Sequence, residues 1–167
     1  MQTELTTARC DLLPVSSGDV AELHALWTSP GVRRFLWDDE IVSRERTEDA
    51  IATSERLFEE NNFGLWVMRE RFDKSLAGFV GIWPFREANE LELLYGVDER
   101  RWGHGYATEV AQAVIDYCFT RVQMPSIRAS TDADNAASMR VLEKLGFKQT
   151  RRATVGRNDT IFYERVR

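Results

Sequence analysis

The sequence predicts a single mixed α/β domain, in which a mostly antiparallel sheet of about six or seven strands carries helices on both faces. Three observations lead to this prediction. The 167 residues fall within the size range of one compact domain. Predicted elements fill the chain without a linker, internal repeat or low-complexity stretch. Their order, successive strands followed by βαβ units, is typical of a mixed sheet with helices packed on it.

The first half of the chain predicts one strand, a set of helices and then three successive strands. Residues 16–19 supply capping residues for the first helix, Pro30-Gly31 interrupts the helical pattern, and a turn at 72–75 joins two strands as a hairpin. The predicted elements are a strand at 9–15, helices at about 20–27, near 32–36 and from Ser43 or Thr47 to about 61, and strands at 63–69, 76–85 and 90–97.

The second half alternates strands with helices before ending in two strands. An apolar stripe from Ala107 to Cys118 predicts a long amphipathic helix, and Gly146 provides the glycine that commonly ends one. A turn at 156–159 separates the last two strands. The predicted elements are a helix at about 105–121, a strand at 127–131, a helix at 136–145, and strands at 147–153 and 160–166.

Composition and charge exclude several classes of protein. No apolar run approaches the ~20 residues of a membrane span, and the N-terminus lacks the shape of a signal peptide, so we expect a cytoplasmic protein without a membrane partner. The net charge of −5 argues against nucleic acid as the main partner and is compatible with a cationic substrate such as an amine.

The few cysteines and histidines do not indicate a metal site. Cys10 and Cys118 are far apart and have neither disulfide-framework nor zinc-ligand spacing. Cys118 lies in an apolar run and is interpreted as a core residue, and His24 lies in a helical pattern and is interpreted as structural. The sequence therefore predicts neither a metal ion nor a Cys–His catalytic pair.

The most informative segment is the turn between the strand at 90–97 and the long helix. Gly103 and Gly105 stand where the turn meets the helix. Free backbone N–H groups and the positive end of the helix dipole form an anion site at such a position. Glycines let the chain turn sharply and let a phosphate approach the backbone.

Two well-known phosphate-binding motifs do not fit this turn. A P-loop requires Gly-Lys-Ser/Thr at the helix start, where this chain has Gly105-Tyr106-Ala107. The dinucleotide motif requires Gly or Ala at position 108, which is Thr, and an early βαβ unit. From these residues alone, a plain glycine turn and an anion-binding turn both remain open.

The turn and other segments carry a resemblance to a known family. Residues 100–105 fit the pattern (Gln/Arg)-x-x-Gly-x-(Gly/Ala) of the GNAT superfamily of acyl-CoA N-acyltransferases, which the chain therefore resembles. The longer string at 102–109 and the opening at 7–14 are similar to the branch that acetylates ribosomal-protein N-termini and diamines. A second match at 135–138 and 142–147 extends the resemblance over nearly the whole chain.

The resemblance implies a binding site for acetyl-CoA as acyl donor. It implies that turn amides hold the pyrophosphate, that Arg100 or Arg101 either adds charge or is a solvated surface cation, and that Asn135 binds the pantetheine amide or caps a helix. The end of the preceding strand is expected to hydrogen-bond the pantetheine arm. The implied donor-binding residues are Tyr95, Gly96, Val97, Arg100, Arg101, Gly103, His104, Gly105, Tyr106, Ala107, Thr108, Asn135 and Ser138.

The resemblance also implies the catalytic groups. An amine must lose a proton to attack the thioester. Glu92 stands where the family often carries a glutamate, and Glu90 has the same side-chain parity; the alternative is that one or both face solvent. Leu142 occupies the position where many members have the tyrosine that protonates the CoA thiolate. Ser138, one helical turn earlier, is the nearest replacement.

The acceptor is not determined by these motifs. Trp37, Trp83 and Phe85 are candidates for an acceptor pocket wall beside Glu90 and Glu92, or are packing residues. A protein N-terminus, a polyamine, an amino sugar and a small-molecule drug all remain possible acceptors, and the branch favours a protein N-terminus or small amine. A non-catalytic acyl-CoA sensor of the same fold is the alternative function, and the protein is expected to be a monomer or homodimer.

Overall fold

The computed structural model describes residues 2–84 and 90–167. The described residues form a mixed eight-stranded sheet with the strand order β1-β2-β3-β4-β5-β6-β8-β7. Neighbouring strands are antiparallel, except that β5 and β6 are parallel. The strands are β1 Leu5–Thr6, β2 Cys10–Pro14, β3 Leu65–Glu70, β4 Leu76–Pro84, β5 Leu91–Val97, β6 Ser126–Asp132, β7 Lys148–Val155 and β8 Asn158–Val166.

Helix α3 begins and ends at residues with identifiable capping geometry. Ser43 accepts a hydrogen bond from the Arg46 amide at the start of α3, and Asn62 ends that helix in the left-handed conformation at φ 61°. Among the described helices, none has both the length and the apolar character needed to cross a bilayer. The helices are α1 Val20–Thr28, α2 Pro30–Leu36, α3 Arg44–Asn61, α4 Tyr106–Tyr117 and α5 Ala136–Lys144.

Helices cover both faces of the sheet, as the sequence predicts. Alternate side chains of β3 point to opposite faces: Trp66 and Met68 belong to one buried cluster, and Leu65 and Val67 to another. The first cluster includes buried residues of α4 and α5, and the second includes those of α1 and Ile51 of α3. The sheet is therefore the middle layer of the molecule, with a core on each side.

The structure differs from the predicted elements in three places. The sheet has one more strand than predicted, because β1 is only two residues long and too short to show alternation. Pro30 is the first residue of α2, a position that tolerates proline since its missing N–H has no intrahelical partner there. The predicted helix at 105–121 divides into α4 and a π-helical turn, Cys118–Val122.

The sheet opens between its two central parallel strands. β4 and β5 remain paired from Gly78–Val97 to Pro84–Leu91. Between β5 and β6, by contrast, Glu92–Arg128 is the one register pair among the described residues. Beyond that pair, the carboxyl ends of the two strands diverge and leave a gap in the middle of the sheet.

Close packing of β4 against β3 gives the first prediction. A Cβ atom at Gly81 would overlap the carbonyl oxygen of Gly64 and come within 2.7 Å of the Leu65 Cα, so backbone would have to move. Gly81→Ala should lower the free energy of unfolding by about 2 kcal/mol, and the melting temperature by about 4–8 °C. Gly18→Ala is the control, because its nearest neighbour would be at 3.6 Å. Equal melting temperatures for the two variants would contradict the prediction.

Candidate active site

A cavity of about 400 Å³ occupies the gap between β5 and β6. Its walls come from the carboxyl ends of both strands, the start of α4, one side of α5 and the inner side of α2. The sequence-predicted donor-binding residues that line it are Tyr95, Gly96, Val97, Arg101, Gly103, Gly105, Tyr106, Ala107, Thr108, Asn135 and Ser138.

The turn before α4 presents backbone amides to this cavity. Gly103 and Gly105 both adopt left-handed conformations, at φ 76° and 79°. The first α-helical hydrogen bond of α4 runs from the Glu109 amide to the Gly105 carbonyl, at 3.1 Å. The amides of Tyr106, Ala107 and Thr108 therefore precede the helical ladder and lie at the positive end of the helix dipole. This arrangement suits a phosphate.

Arg9, a residue that the sequence did not single out, holds the turn in place. Its Nη1 donates to the His104 carbonyl at 2.8 Å, and its Nε donates to Glu109 Oε2 at 2.7 Å. The guanidinium lies 4.0 Å from the Tyr106 ring centroid. Partial burial alone would raise the pKa of Glu109, but hydrogen bonds from Thr7 and Arg9 outweigh burial and hold that pKa below its usual range.

The other predicted residues of the turn differ in where they point. Arg101 lines the cavity, but its guanidinium donates to Glu70, Asp98 and Ser75, so it supports the turn from behind. Arg100 pairs with Asp98 at 2.6 Å, and its side chain is 80% exposed. His104 contributes its carbonyl to Arg9. Arg100 and His104 are not among the residues that line the cavity.

A hydroxyl pair lies on the α5 side of the gap. The Tyr95 phenol and the Ser138 Oγ are 2.8 Å apart. Burial raises the pKa of Tyr95 to about 12, so the phenol keeps its proton at neutral pH. Asn135 caps α5 by accepting from the Ser138 amide at 3.1 Å, which bears out its helix-cap interpretation. Leu142 is 1% exposed and lies in the core.

Glu92 is a buried carboxylate connected to the cavity through a serine. It is 5% exposed, and its Oε2 accepts a hydrogen bond from Ser130 Oγ at 2.7 Å. Ser130 lies on β6, across the gap, and lines the large cavity. Glu92 itself lines a second, smaller cavity of about 200 Å³ together with Glu90, which pairs with Arg128 at 2.6 Å. The possibility that Glu92 faces solvent is therefore excluded.

The predicted aromatic wall lies away from the large cavity. Trp37 packs on Trp27 with ring centroids 5.6 Å apart, and Trp83 packs against the same cluster. Neither lines the large cavity, which fits their interpretation as packing residues. Phe85 lies outside the described residues. On this side α2 forms the wall instead, through Val32, Phe35 and Leu36.

Contacts near both ends of helix α2 connect it to other segments. Near its start, the Gly31 amide donates to Glu99 Oε1 at 2.6 Å, just before the glycine turn. Beyond its end, Asp38 Oδ1 accepts from Asn158 Nδ2 at 2.6 Å, at the start of β8. These contacts hold the α2 wall across the cavity.

Cysteine and metal chemistry have no support in the described part of the chain. Burial raises the pKa of Cys10 to about 11 and that of Cys118 to about 12, so neither thiol ionises readily. No group of three or more His, Cys, Asp or Glu side chains in residues 2–84 and 90–167 has the arrangement of a metal site.

Comparisons with known sequences agree with this geometry. Residues 9–148 match the family model for the acetyltransferase (GNAT) domain. The chain is 29% identical to the uncharacterized protein YkkB of Bacillus subtilis (strain 168), over 98% of this chain and 96% of YkkB. It is 28% identical to the uncharacterized N-acetyltransferase YoaA of the same strain, over 87% of this chain and 82% of YoaA.

Solved structures share the whole fold. A GnaT-family acetyltransferase from Bordetella pertussis superimposes with a TM-score of 0.86 at 19% identity, covering 99% of this chain and 100% of the other. RimL, a ribosomal L7/L12 α-N-protein acetyltransferase in complex with CoA, gives 0.81 at 18% identity, covering 97% and 96%. Spermidine N-acetyltransferase from Vibrio cholerae, in complex with CoA and spermine, gives 0.76 at 19% identity, covering 94% and 95%.

A mixed sheet that splits beside a glycine turn and an exposed helix start defines an N-acyltransferase fold, and the matched family model covers most of the chain. The protein belongs to the GNAT acetyltransferase family. It is an N-acetyltransferase, and the fold and class implied by the sequence motifs are confirmed.

The Arg9–Glu109 pair gives a prediction about pH. The lowered pKa of Glu109 in the folded protein means that its contribution to stability is present above the unfolded pKa of about 4.3. That contribution is lost as pH falls through the lower, folded value. Glu109→Gln should therefore be less stable than wild type at pH 7, by about 1–2 kcal/mol, and the difference should vanish in acid. Denaturant unfolding at pH 7 and pH 3 measures it.

The matched control is Glu48→Gln. Glu48 also pairs with an arginine, Arg44, at 3.0 Å, but both side chains are about half exposed. Its removal should change stability by less than about 0.5 kcal/mol at either pH. A pH-independent deficit in Glu109→Gln would show that the charge of Glu109 is not what stabilises the turn.

Proposed function

We propose that this enzyme transfers an acetyl group from acetyl-CoA to a primary amine, on a protein N-terminus or a small molecule, by direct attack on the thioester. The observation that carries the proposal is the cavity in the split sheet. It combines an amide-lined anion site, a hydroxyl pair and a serine hydrogen-bonded to a buried carboxylate. We also propose that the protein acts in the cytoplasm.

The donor half of the site fits CoA. Its pyrophosphate would accept hydrogen bonds from the amides of Tyr106, Ala107 and Thr108, which have no helical partners. Gly103 leaves this approach open, since a Cβ there would meet no atom within 4 Å. The pantetheine arm would extend along the free edge of β5 near Tyr95 and Val97 and pair with it as an added strand. Two structural neighbours, RimL and spermidine N-acetyltransferase, bind CoA.

The catalytic half follows from the chemistry of amide formation. The amine nitrogen attacks the thioester carbon, the C–N bond forms, and the C–S bond breaks. A backbone N–H near Tyr95 to Val97 polarises the thioester oxygen. The proton lost by the amine passes to Glu92 through Ser130, because Ser130 lines the cavity and hydrogen-bonds that carboxylate. The departing thiolate is stabilised by the Tyr95–Ser138 hydroxyl pair.

The acceptor would enter on the face that α2 covers. Glu92 shares its face of the sheet with Arg128 and Trp83 through the strand registers. Val32, Phe35 and Leu36 add apolar surface to the large cavity, which Ser130 connects to the Glu92 carboxylate. Apolar surface beside negative charge suits the carbon chain and ammonium group of an amine.

The proposed reaction is tested with acetyl-CoA and two acceptors. We expect acetyl-CoA to bind in calorimetry, and thiol release to depend on either spermidine or a peptide with an N-terminal serine. Glu92→Gln should bind acetyl-CoA as wild type does and lower turnover about 100-fold, since a general base typically contributes 10²–10⁴-fold. Binding without turnover for a wider amine panel would favour the acyl-CoA sensor. Absence of binding would contradict the proposal.

The serine link to Glu92 gives a separate prediction. Ser130→Ala should lower turnover about tenfold, equivalent to about 1.4 kcal/mol, because the carboxylate loses one charge-assisted hydrogen bond and its route to the cavity. It should also move the acid limb of the pH–rate profile to higher pH, and Ser130→Thr should restore most of the activity.

Ser126→Ala is the matched control on the same strand. Ser126 Oγ also donates to a glutamate, Glu164, at 2.9 Å, but it does not line the large cavity. We expect its turnover and pH profile to be those of wild type. If both variants lost activity equally, the effect would come from β6 pairing and not from a proton route.

A further inference from the structure

The small cavity of about 200 Å³ is a candidate for the part of the site that selects the acceptor. Glu92 lines it, while Ser130, the hydrogen-bond partner of Glu92, lines the large cavity. One hydrogen bond of 2.7 Å thus joins a residue of the small cavity to a residue of the large cavity. Drug-sized ligands occupy roughly 300–1,000 Å³, so the small cavity suits only a small molecule or a small group.

A β-bulge in β7 directs Arg151 towards this cavity. The register of β7 against β8 shifts between Gln149 and Arg151, which leaves Thr150 as the extra residue of the bulge. Arg151 is thereby opposite Phe162, and residues opposite each other on neighbouring strands share a face of the sheet. Without the extra residue, Arg151 would point to the other face, since side chains alternate along a strand.

The Arg151 guanidinium is held in place without using its charge. It lies 3.6 Å from the centroid of the Phe162 ring, and that ring is buried. The guanidinium forms no hydrogen bond or ion pair with any group that the structure describes. The next residue, Arg152, is by contrast paired with Asp159. A positioned guanidinium with free N–H groups is suited to a planar anion supplied by a ligand.

The other charged groups of the small cavity favour a ligand that also carries a positive charge. Glu90, Glu92 and Glu164 line it, and Arg128 lies 2.6 Å from Glu90 and 3.9 Å from Glu164. When all are ionised, the described lining residues have three carboxylates and two guanidinium groups, Arg151 included. An ammonium group matches the excess negative charge, whereas a doubly charged phosphate would be repelled by the carboxylates.

We propose that the preferred acceptor carries a carboxylate next to its amine, as an α-amino acid does, and that Arg151 binds this carboxylate in the small cavity. The amine then lies at Ser130 and Glu92, where the proposed reaction removes its proton. Arg151 acts as a specificity residue and makes no contact with the thioester. The inference rests on the proposed function, because it names the acceptor of that reaction.

The spacing of the two ends of this site agrees with an α-amino acid. Ser130 on β6 is opposite Phe162 on β8, and opposite residues have Cβ atoms about 5 Å apart. Because Arg151 covers the Phe162 ring, the groups proposed for the carboxylate and the amine occupy neighbouring positions on one face. An α-amino acid has its amine and carboxylate on a single carbon and fits such neighbouring positions. A polyamine would leave Arg151 without an anion.

The test compares three α-amino acids with their α-amides as acceptors. L-Alanine, L-leucine and L-phenylalanine each differ from the amide only in the carboxylate. The proteins are wild type, Arg151→Gln and Arg152→Gln, and thiol release gives kcat and KM for each acceptor. Arg152→Gln is the matched control, because it removes the same charge from the adjacent position and Arg152 does not line the small cavity.

We expect wild type and Arg152→Gln to have a kcat/KM about tenfold higher for the best amino acid than for its amide. Arg151→Gln should lose that tenfold, equivalent to about 1.4 kcal/mol, because a charge-assisted hydrogen bond to the carboxylate is removed. The loss should appear mainly in KM, since the carboxylate does not react. Binding of acetyl-CoA and turnover of the amides should be unchanged. Arg151→Lys should keep part of the preference, because it retains the charge without the fork.

Other outcomes would overturn the inference and remain distinguishable. Equal use of amino acids and amides by wild type would show that no carboxylate is bound. An equal loss in Arg151→Gln and Arg152→Gln would assign the effect to the general charge of β7. If spermidine were acetylated tenfold better than every amino acid, this inference would fail and the proposed function would stand. If acetyl-CoA did not bind to wild type, both would fail.

Discussion

The divergence of β5 from β6 is the constraint on which the rest of the structure depends. Parallel pairing between them is anchored at Glu92–Arg128, and the strands separate beyond that point. A split in the middle of a sheet exposes backbone N–H and C=O groups that would otherwise be paired, and such groups require partners. In this fold the split is bordered by α2, α4 and α5, which make it a lined cavity. A pantetheine arm supplies the missing partners in the proposed reaction.

Local sequence patterns predict the parts of the site that depend on neighbours in the chain. The turn with Gly103 and Gly105, the start of α4 and the Asn135 cap all follow from turn and capping chemistry within a few residues. Seven of the eight strands follow from alternation, and the two-residue β1 does not, since alternation cannot be recognised over two positions.

Contacts between distant segments could not be predicted in the same way. Arg9 meets Glu109 across 100 residues, Ser130 meets Glu92 across 38, and Tyr95 meets Ser138 across 43. The Ser130–Glu92 contact depends on the pairing of β5 with β6, and a one-residue change in register would turn one side chain to the other face. The other two contacts depend on how α4 and α5 pack against the sheet. The family resemblance identified Glu92 and Ser138 as candidates, but their hydrogen-bond partners, Ser130 and Tyr95, could be identified only from the fold.

The two faces of the split separate the two substrates of the proposed reaction. Tyr95 points to the face of α4 and α5, where it meets Ser138, whereas Glu92 points to the face that α2 covers. In the proposed reaction, a thioester lying in the gap would have the Tyr95–Ser138 hydroxyl pair on one face, near its sulfur. The amine would approach from the other face. The contact from the Gly31 amide to Glu99 joins the α2 wall to the segment before the glycine turn. Because of that contact, a phosphate that orders the turn, as the proposed reaction requires, would also restrain the wall on the proposed acceptor side.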